Sequence, residues 1–213
     1  MIVRGLYLVT DRGLCGSRSL EDVAHQALLG GAVCIQLREK DIPTRFFVEE
    51  ARRMKILTTR FRAPLIINDR LDVALASGAD GVHLGQDDMP YAEARRLMGP
   101  NAIIGLSVEK WDDVVEAEAL DVNYLGVSPV FETPTKTDTK GSWGFAGLAR
   151  IKAYSRHKLV AIGGMNASNA EEAVMAGADC IAVVSAICAA SDPLLVSREI
   201  NAIIQAALRR RYL

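Results

Sequence analysis

Apolar residues gather into eight short runs along the chain: LYLV (6–9), VCIQL (33–37), PLII (64–67), GVHL (81–84), AIIGL (102–106), YLGV (124–127), LVAI (159–162) and IAVV (181–184). Most of the intervals carry apolar residues at helical spacing, as in SLEDVAHQALLGG, TRFFVEEARRMKILTTRF, YAEARRLMG and NASNAEEAVMAG, the first and last opening on Ser or Asn caps. Apolar runs without alternation suit strands covered on both faces, as in a parallel sheet, and the regular strand–helix order implies right-handed crossovers. LGGAVCIQL (29–37), ASGADGVHL (76–84) and MAGADCIAV (175–183) repeat one joint of helix end, Gly, Ala and strand, the Gly suiting a left-handed residue that closes a helix. Eight strands with this joint predict an α/β fold of the closed (β/α)₈ TIM-barrel type, a single domain over residues 1–213. An open dinucleotide-binding sheet would carry GxGxxG after its first strand, and TDRGLCGS does not supply it.

Composition narrows the chemistry. With 25 Lys and Arg against 26 Asp and Glu, the net charge of −1 gives no broad positive field for nucleic acid or an anionic membrane, so any anion must be held by local groups. No charged segment leading into an apolar one opens the chain, and no run approaches the roughly 20 apolar residues of a membrane span, so a cytoplasmic location is expected. Cys15, Cys34, Cys180 and Cys188 lack CxxC spacing, and His25, His83 and His157 form no HExxH pair, so neither disulfides nor a zinc site are expected.

In such a barrel, function sits at the C-terminal ends of the strands and in the loops that follow. Four groups fall there. Gln36, Arg38 and Lys40, spaced two apart at the end of the second run, share one face and suit a phosphate or diphosphate; the alternative is a solvated loop in which Glu39 and Asp41 pair the cations. Asp69 and Asp88 each follow a buried strand and form the sparse oxygen set that Mg²⁺ uses when phosphates and water complete its shell, or else each caps the next helix, with Pro90 in the first turn of the second. SPVFETPTKTDTKGSWG (128–144), with Thr133, Thr135 and Lys136, is a flap over an anionic ligand or a loop without a role. Gly163, Gly164 and Ser185 lie in the loops after strands seven and eight, where such barrels hold phosphate through backbone amides. His83 reads as a satisfied core histidine, and Ser107, just past its strand, as a ligand donor or a helix cap.

Taken together and in this order, QLREK, NDR, ADGVHLGQDD, TPTKT, AIGGM and AVVSAI resemble the thiamine phosphate synthase family, over about residues 6 to 190. The resemblance implies a transferase that joins 4-amino-5-hydroxymethyl-2-methylpyrimidine diphosphate to 4-methyl-5-(2-phosphooxyethyl)thiazole, releasing diphosphate and forming thiamine phosphate. By position it assigns Gln36, Arg38 and Lys40, with Asn68, Ser107 and Lys136, to the pyrimidine diphosphate, and Arg38, Lys40, Ser107 and Lys136 among these to catalysis. It assigns Asp69 and Asp88 to Mg²⁺, and Thr133, Thr135, Gly164, Val184 and Ser185 to the thiazole phosphate. The segment GLSVEK departs from the pattern, many relatives having a His two or three residues after the Ser, and Trp143 in KGSWGFAG is atypical.

Three alternatives stay open: a thiazole tautomerase-like paralogue on the same barrel, a sugar-phosphate lyase or isomerase with a Schiff base at Lys40 or Lys136, and a non-catalytic phosphate-ligand binder. Small-molecule substrates rather than nucleic acid or membrane are the expected partners, with a homo-oligomer left open.

Overall fold

The structure, a computed structural model, describes residues 4–132 and 141–212. Strands β1 (Gly5–Val9), β2 (Ala32–Leu37), β3 (Leu65–Asn68), β4 (Gly81–Leu84), β5 (Ile103–Val108), β6 (Tyr124–Val127), β7 (Leu159–Ala161) and β8 (Cys180–Val183) pair in parallel in chain order, and β8 returns to β1 to close the barrel. Around it lie α1 (Leu20–Leu29), α2 (Thr44–Arg60), α3 (Leu71–Ser77), α4 (Tyr91–Met98), α5 (Trp111–Glu118), α6 (Gly144–Tyr154), α7 (Ala170–Met175), α8 (Ser185–Cys188) and α9 (Pro193–Tyr212). The (β/α)₈ barrel expected from the apolar runs is therefore the fold, each strand lying within two residues of its run. Among the described residues no helix is long and apolar enough to cross a membrane.

The two-residue period of the strands divides the core into two compartments. Tyr7, Val9, Cys34, Ile66, Ile103, Tyr124, Val160, Cys180 and Ala182 pack together inside the barrel. Their neighbours in the chain, such as Leu6, Leu8, Ile35, Leu65, Ile67, Val82, Ile104 and Leu125, face outward and join the helices in the larger cluster. Because both faces are covered, neither shows an alternating polar pattern, which is why the runs read as uninterrupted. Two inward positions are glycine for a steric reason. A Cβ at Gly105 would lie 2.1 Å from the Tyr124 ring, and one at Gly126 would lie 2.8 Å from the His83 ring. Large inward rings on β4 and β6 thus require small neighbours on β5 and β6.

At the opposite end of the barrel, the repeated joint has a structural meaning. Asp80, Asn123 and Asp179, each immediately before or near the start of β4, β6 and β8, accept the backbone N–H of Leu65 at 2.8 Å, Ile104 at 2.7 Å and Leu159 at 3.1 Å through the side chain. Their own N–H groups donate to the carbonyls of those same three residues. The Asp of the two GAD segments thereby ties β4 and β8 to the strand before each, as Asn123 ties β6. In all three joints the Gly takes positive φ, at 100° for Gly31, 71° for Gly78 and 126° for Gly177, as expected of the residue closing a helix.

The caps depart in part from expectation. Ser19 caps α1, its hydroxyl accepting from Asp22 N at 3.0 Å. Asn166, which opens the segment before α7, accepts from Ser168 N at 2.8 Å on its Oδ1 and donates its own N–H to Asn169 Oδ1 at 2.9 Å, so it caps the turn leading into α7, while α7 itself starts after Asn169 without a side-chain cap bond. Pro90 sits at the N-cap of α4 rather than within its first turn.

Candidate active site

A cavity of 780 Å³ opens at the C-terminal end of the barrel. Every predicted site residue among the described ones lines it: Gln36, Arg38, Lys40, Asn68, Asp69, Asp88, Ser107, Gly164, Val184 and Ser185. Thr133, Thr135 and Lys136 lie outside the described residues.

The β2 end supplies one wall. Gln36 is buried and donates from Nε2 to Tyr7 Oη at 2.9 Å. Past the last strand residue, Arg38 N donates to Thr10 Oγ1 at 3.0 Å, and Arg38 Nη1 stands 3.4 Å from Asp11 Oδ2. Lys40 is more exposed, with Nζ 3.8 Å from Asp69 Oδ2. Glu39 turns the other way and pairs with Arg12 at 2.8 Å. The loop pairing expected under the solvated-loop alternative, with Glu39 neutralising its neighbours, is not what this geometry contains.

The carboxylates come next. Asp69 has φ 60°, the left-handed region that a side chain with a Cβ rarely adopts, in a tight turn closed by Arg70 N donating to Asn68 O at 2.6 Å. Backbone strain of this kind is held in place only where the surroundings impose it, and it collects at functional sites. Asp88 Oδ2 accepts from Gly85 N at 2.6 Å. Neither carboxylate caps the next helix, since the N-cap residues are Arg70 and Pro90 and no side-chain cap bond is formed. Burial, then the adjacent Asp88 carboxylate, push the Asp69 carboxyl up to about 6, against the opposing pull of Lys40 and Arg38. Two hard oxygen donors that repel one another fit a divalent cation. No cluster of three His, Cys, Asp or Glu side chains suited to a metal occurs among the described residues, so this pair would hold Mg²⁺ only with oxygens from substrate and water.

A hydrogen-bonded chain that the sequence did not reveal forms the floor. Gln36 Nε2 donates to Tyr7 Oη, Tyr7 Oη meets Tyr124 Oη at 3.0 Å, Tyr124 Oη meets His83 Nδ1 at 2.9 Å, and His83 Nε2 meets Ser107 Oγ at 2.9 Å. Burial holds both phenols well above their usual pKa, so they act as neutral donors and acceptors. His83, expected as a core histidine, is half-buried, stacks on Tyr124 with ring centroids 5.4 Å apart and faces the cavity. Ser107 lies within β5 rather than beyond it, because the strand continues to Val108; it is inward-facing and not a helix cap. The missed signal was register: Tyr7, His83 and Tyr124 occupy inward positions, His83 and Tyr124 on either side of Gly105, where a Cβ would meet the Tyr124 ring.

On the far wall, Gly163 and Gly164 stand close to the loop after β6. A Cβ at Gly163 would approach Pro129 Cβ to 2.6 Å, and Phe131 N donates to Gly163 O at 3.1 Å. Asn166 and Asn169 donate to Gly164 O at 3.2 and 2.9 Å, fixing the carbonyl on the side of α7. Val184 and Ser185, where α8 begins, complete this wall.

Comparison with known proteins gives the family. Residues 6–187 match the family model described as Thiamine monophosphate synthase. The chain is 52% identical over 201 residues to Thiamine-phosphate synthase of Albidiferax ferrireducens, covering 94% of this chain and 92% of that one. It is 53% identical over 195 residues to Thiamine-phosphate synthase of Leptospira biflexa, covering 90% and 93%. The solved structure of thiamine phosphate pyrophosphorylase from Pyrococcus furiosus superposes with a TM-score of 0.89 at 40% identity, covering 96% of each chain. With the barrel, its cavity and these relatives in agreement, the chain belongs to the thiamine monophosphate synthase family, transferases of thiamine biosynthesis.

Proposed function

We propose that this protein joins 4-amino-5-hydroxymethyl-2-methylpyrimidine diphosphate to 4-methyl-5-(2-phosphooxyethyl)thiazole, in the cytoplasm, releasing diphosphate and forming thiamine phosphate. The observation that carries this reading is the asymmetry of the cavity: two cations and two carboxylates gather on the β2 to β4 side, while glycine backbone and a hydroxyl form the β7 to β8 side. Arg38 and Lys40 take the diphosphate, and Asp69 and Asp88 hold Mg²⁺, which supplies charge neutralisation of the leaving group when bound. Gln36, Asn68 and Ser107 orient the pyrimidine, with Lys136 as a further ligand of its diphosphate. Gly164, Val184 and Ser185, joined by Thr133 and Thr135, take the thiazole phosphate.

The C–O bond to diphosphate breaks first and its electron pair leaves on the diphosphate. The thiazole nitrogen lone pair then forms the C–N bond to the pyrimidine-stabilised cation. No proton moves in either step, so the hydrogen-bonded floor from Gln36 to Ser107 serves to fix and orient the substrate and is not called on as a base. A Schiff-base lyase is disfavoured because Lys40 is half exposed beside Asp69, not desolvated in an apolar pocket. The tautomerase-like reading is disfavoured because Arg38, Lys40, Asp69 and Asp88 all line one cavity. Incubation with both precursors and Mg²⁺ is expected to give thiamine phosphate by mass, and none in excess EDTA. Turnover unchanged by EDTA removes the metal from the reading, and no product with Mg²⁺ present removes the reaction.

A further inference from the structure

The row Arg38, Glu39, Lys40 lies past the end of β2, so no sheet ladder sets its direction. What does set it is a set of contacts from residues 10–12, the segment that follows β1. Thr10 accepts the Arg38 N–H at 3.0 Å, Asp11 Oδ2 stands 3.4 Å from Arg38 Nη1, and Arg12 Nη2 reaches Glu39 Oε1 at 2.8 Å. The same Arg12 nitrogen lies 2.5 Å from Glu50 Oε2 on α2. One guanidinium therefore fastens the row, through Glu39, to both the β1 loop and α2.

The burial of these groups is unequal. The Glu39 and Glu50 side chains are only 5% and 9% exposed, whereas Arg12 is 50% exposed. Glu39 Oε1 is buried without a hydrogen bond of good geometry, so the guanidinium beside it is what offsets its charge. Burial raises the Glu39 carboxyl and Arg12 opposes that rise, as expected of a desolvated acid with one cationic neighbour. Without Arg12, two buried carboxylates would face one another with no counter-charge, and Glu39 would turn toward water. Because Glu39 is bonded directly to Arg38 and Lys40, its rotation would swing both of them away from the cavity.

We infer that Arg12, clasped between Glu39 and Glu50, is a positioning residue that aims Arg38 and Lys40 at the diphosphate of the pyrimidine substrate. The inference rests on the assignment of those two cations made above. It concerns the pyrimidine diphosphate first, since the side-chain partners of Arg12 are Glu39 and Glu50 on the β2 side, although α8 of the thiazole phosphate wall adjoins the segment after β1.

The test is steady-state kinetics of Arg12→Ala, Arg12→Lys and Glu39→Gln, with Lys40→Ala as the reference for the clamp itself and thermal unfolding of each. Arg12 projects half into solvent, so Arg12→Ala opens no core cavity, and Glu39→Gln keeps the side chain's shape if the first variant folds poorly. The expected result is a KM for the pyrimidine diphosphate raised by about ten- to hundredfold in Arg12→Ala and Glu39→Gln, as displacements of about 1 Å produce. The KM for the thiazole phosphate changes by far less, and Arg12→Lys recovers part of the loss. A purely structural role would lower the melting temperature and the active fraction without separating the two KM values. If Lys40→Ala raises the pyrimidine KM and neither Arg12→Ala nor Glu39→Gln does, the positioning role is wrong while the clamp stands. If Lys40→Ala has no effect either, the clamp assignment fails and the inference falls with it.

Discussion

Gly105 and Asp69 show how one residue can be dictated by space in one case and by chemistry in the other. At Gly105 the absence of a Cβ admits the Tyr124 ring, whose hydroxyl is held from two sides by Tyr7 and His83. A ring so tied cannot withdraw, and Gly105→Ala is expected to destabilise the protein by about 1–3 kcal/mol, the usual cost of overpacking. Denaturant unfolding checks this, and a loss near zero would mean that the ring has room to move. Asp69 instead sits in a strained turn beside a second carboxylate, with its carboxyl raised to about 6 by burial and by Asp88. A carboxylate whose folded pKa lies above its unfolded value lowers stability as pH rises through that interval. Asp69→Asn removes the repulsion and keeps a side chain tolerant of left-handed backbone. It is therefore expected to be at least as stable as the parent at pH 7 while losing roughly a hundredfold in kcat/KM, about 3 kcal/mol for a lost charged contact. A variant that is inactive because it is less stable would contradict this, and equilibrium unfolding at pH 7 distinguishes the two.

At the level of elements, Asp179, one of the ties at the lower end of the barrel, carries a pH dependence of opposite sign. Asp179 is almost fully buried, accepts from Leu159 N and pairs with Arg4 at 2.9 Å and Lys152 at 3.4 Å. Although burial alone would raise its carboxyl, the Arg4 hydrogen bond, the Leu159 amide and Lys152 together hold it below the ordinary aspartate value. Its contribution is fully present above the unfolded pKa and is lost as pH falls through the folded one. Asp179→Asn should thus be less stable than the parent at pH 7, with the difference shrinking as pH falls below about 4. A difference independent of pH in urea titrations would show that hydrogen bonding, not charge, is what the residue provides. The strands were legible in the sequence because double burial writes each of them as an apolar run, and the row Gln36, Arg38, Lys40 was legible because inward alternation continues past the rim of the barrel. The floor was not. Tyr7 and Tyr124 look like ordinary core aromatics until register places their hydroxyls together. Local sequence reports which face a residue occupies, but not which neighbour from another strand meets it there.

Across the whole molecule the two ends of the barrel divide the work. Asp80, Asn123 and Asp179 tie neighbouring strands together at the lower end, while the charged groups at the upper end repel or strain one another until a ligand arrives. Asp69 and Asp88 offer too few donors to hold a hard cation alone, and Arg38 and Lys40 are partly neutralised by Asp11 and Asp69 before any anion binds. Cation and diphosphate should therefore bind each far better together than apart, because the phosphate oxygens complete the metal's shell and the metal frees Lys40 from Asp69. Thermal unfolding makes this measurable in the intact protein. With Mg²⁺ and inorganic diphosphate both present at about 100 times the dissociation constant, stabilisation of about 2.7 kcal/mol is expected. For a domain of this size that corresponds to a rise of about 5–10 °C in melting temperature. Mg²⁺ alone or diphosphate in EDTA should each give a much smaller rise, and the two small rises should not sum to the joint one. Strictly additive shifts would mean that the carboxylate pair and the cationic row serve separate ligands. Lys40→Ala in the same assay locates the coupling, since losing the lysine should weaken the joint effect more than the effect of Mg²⁺ alone.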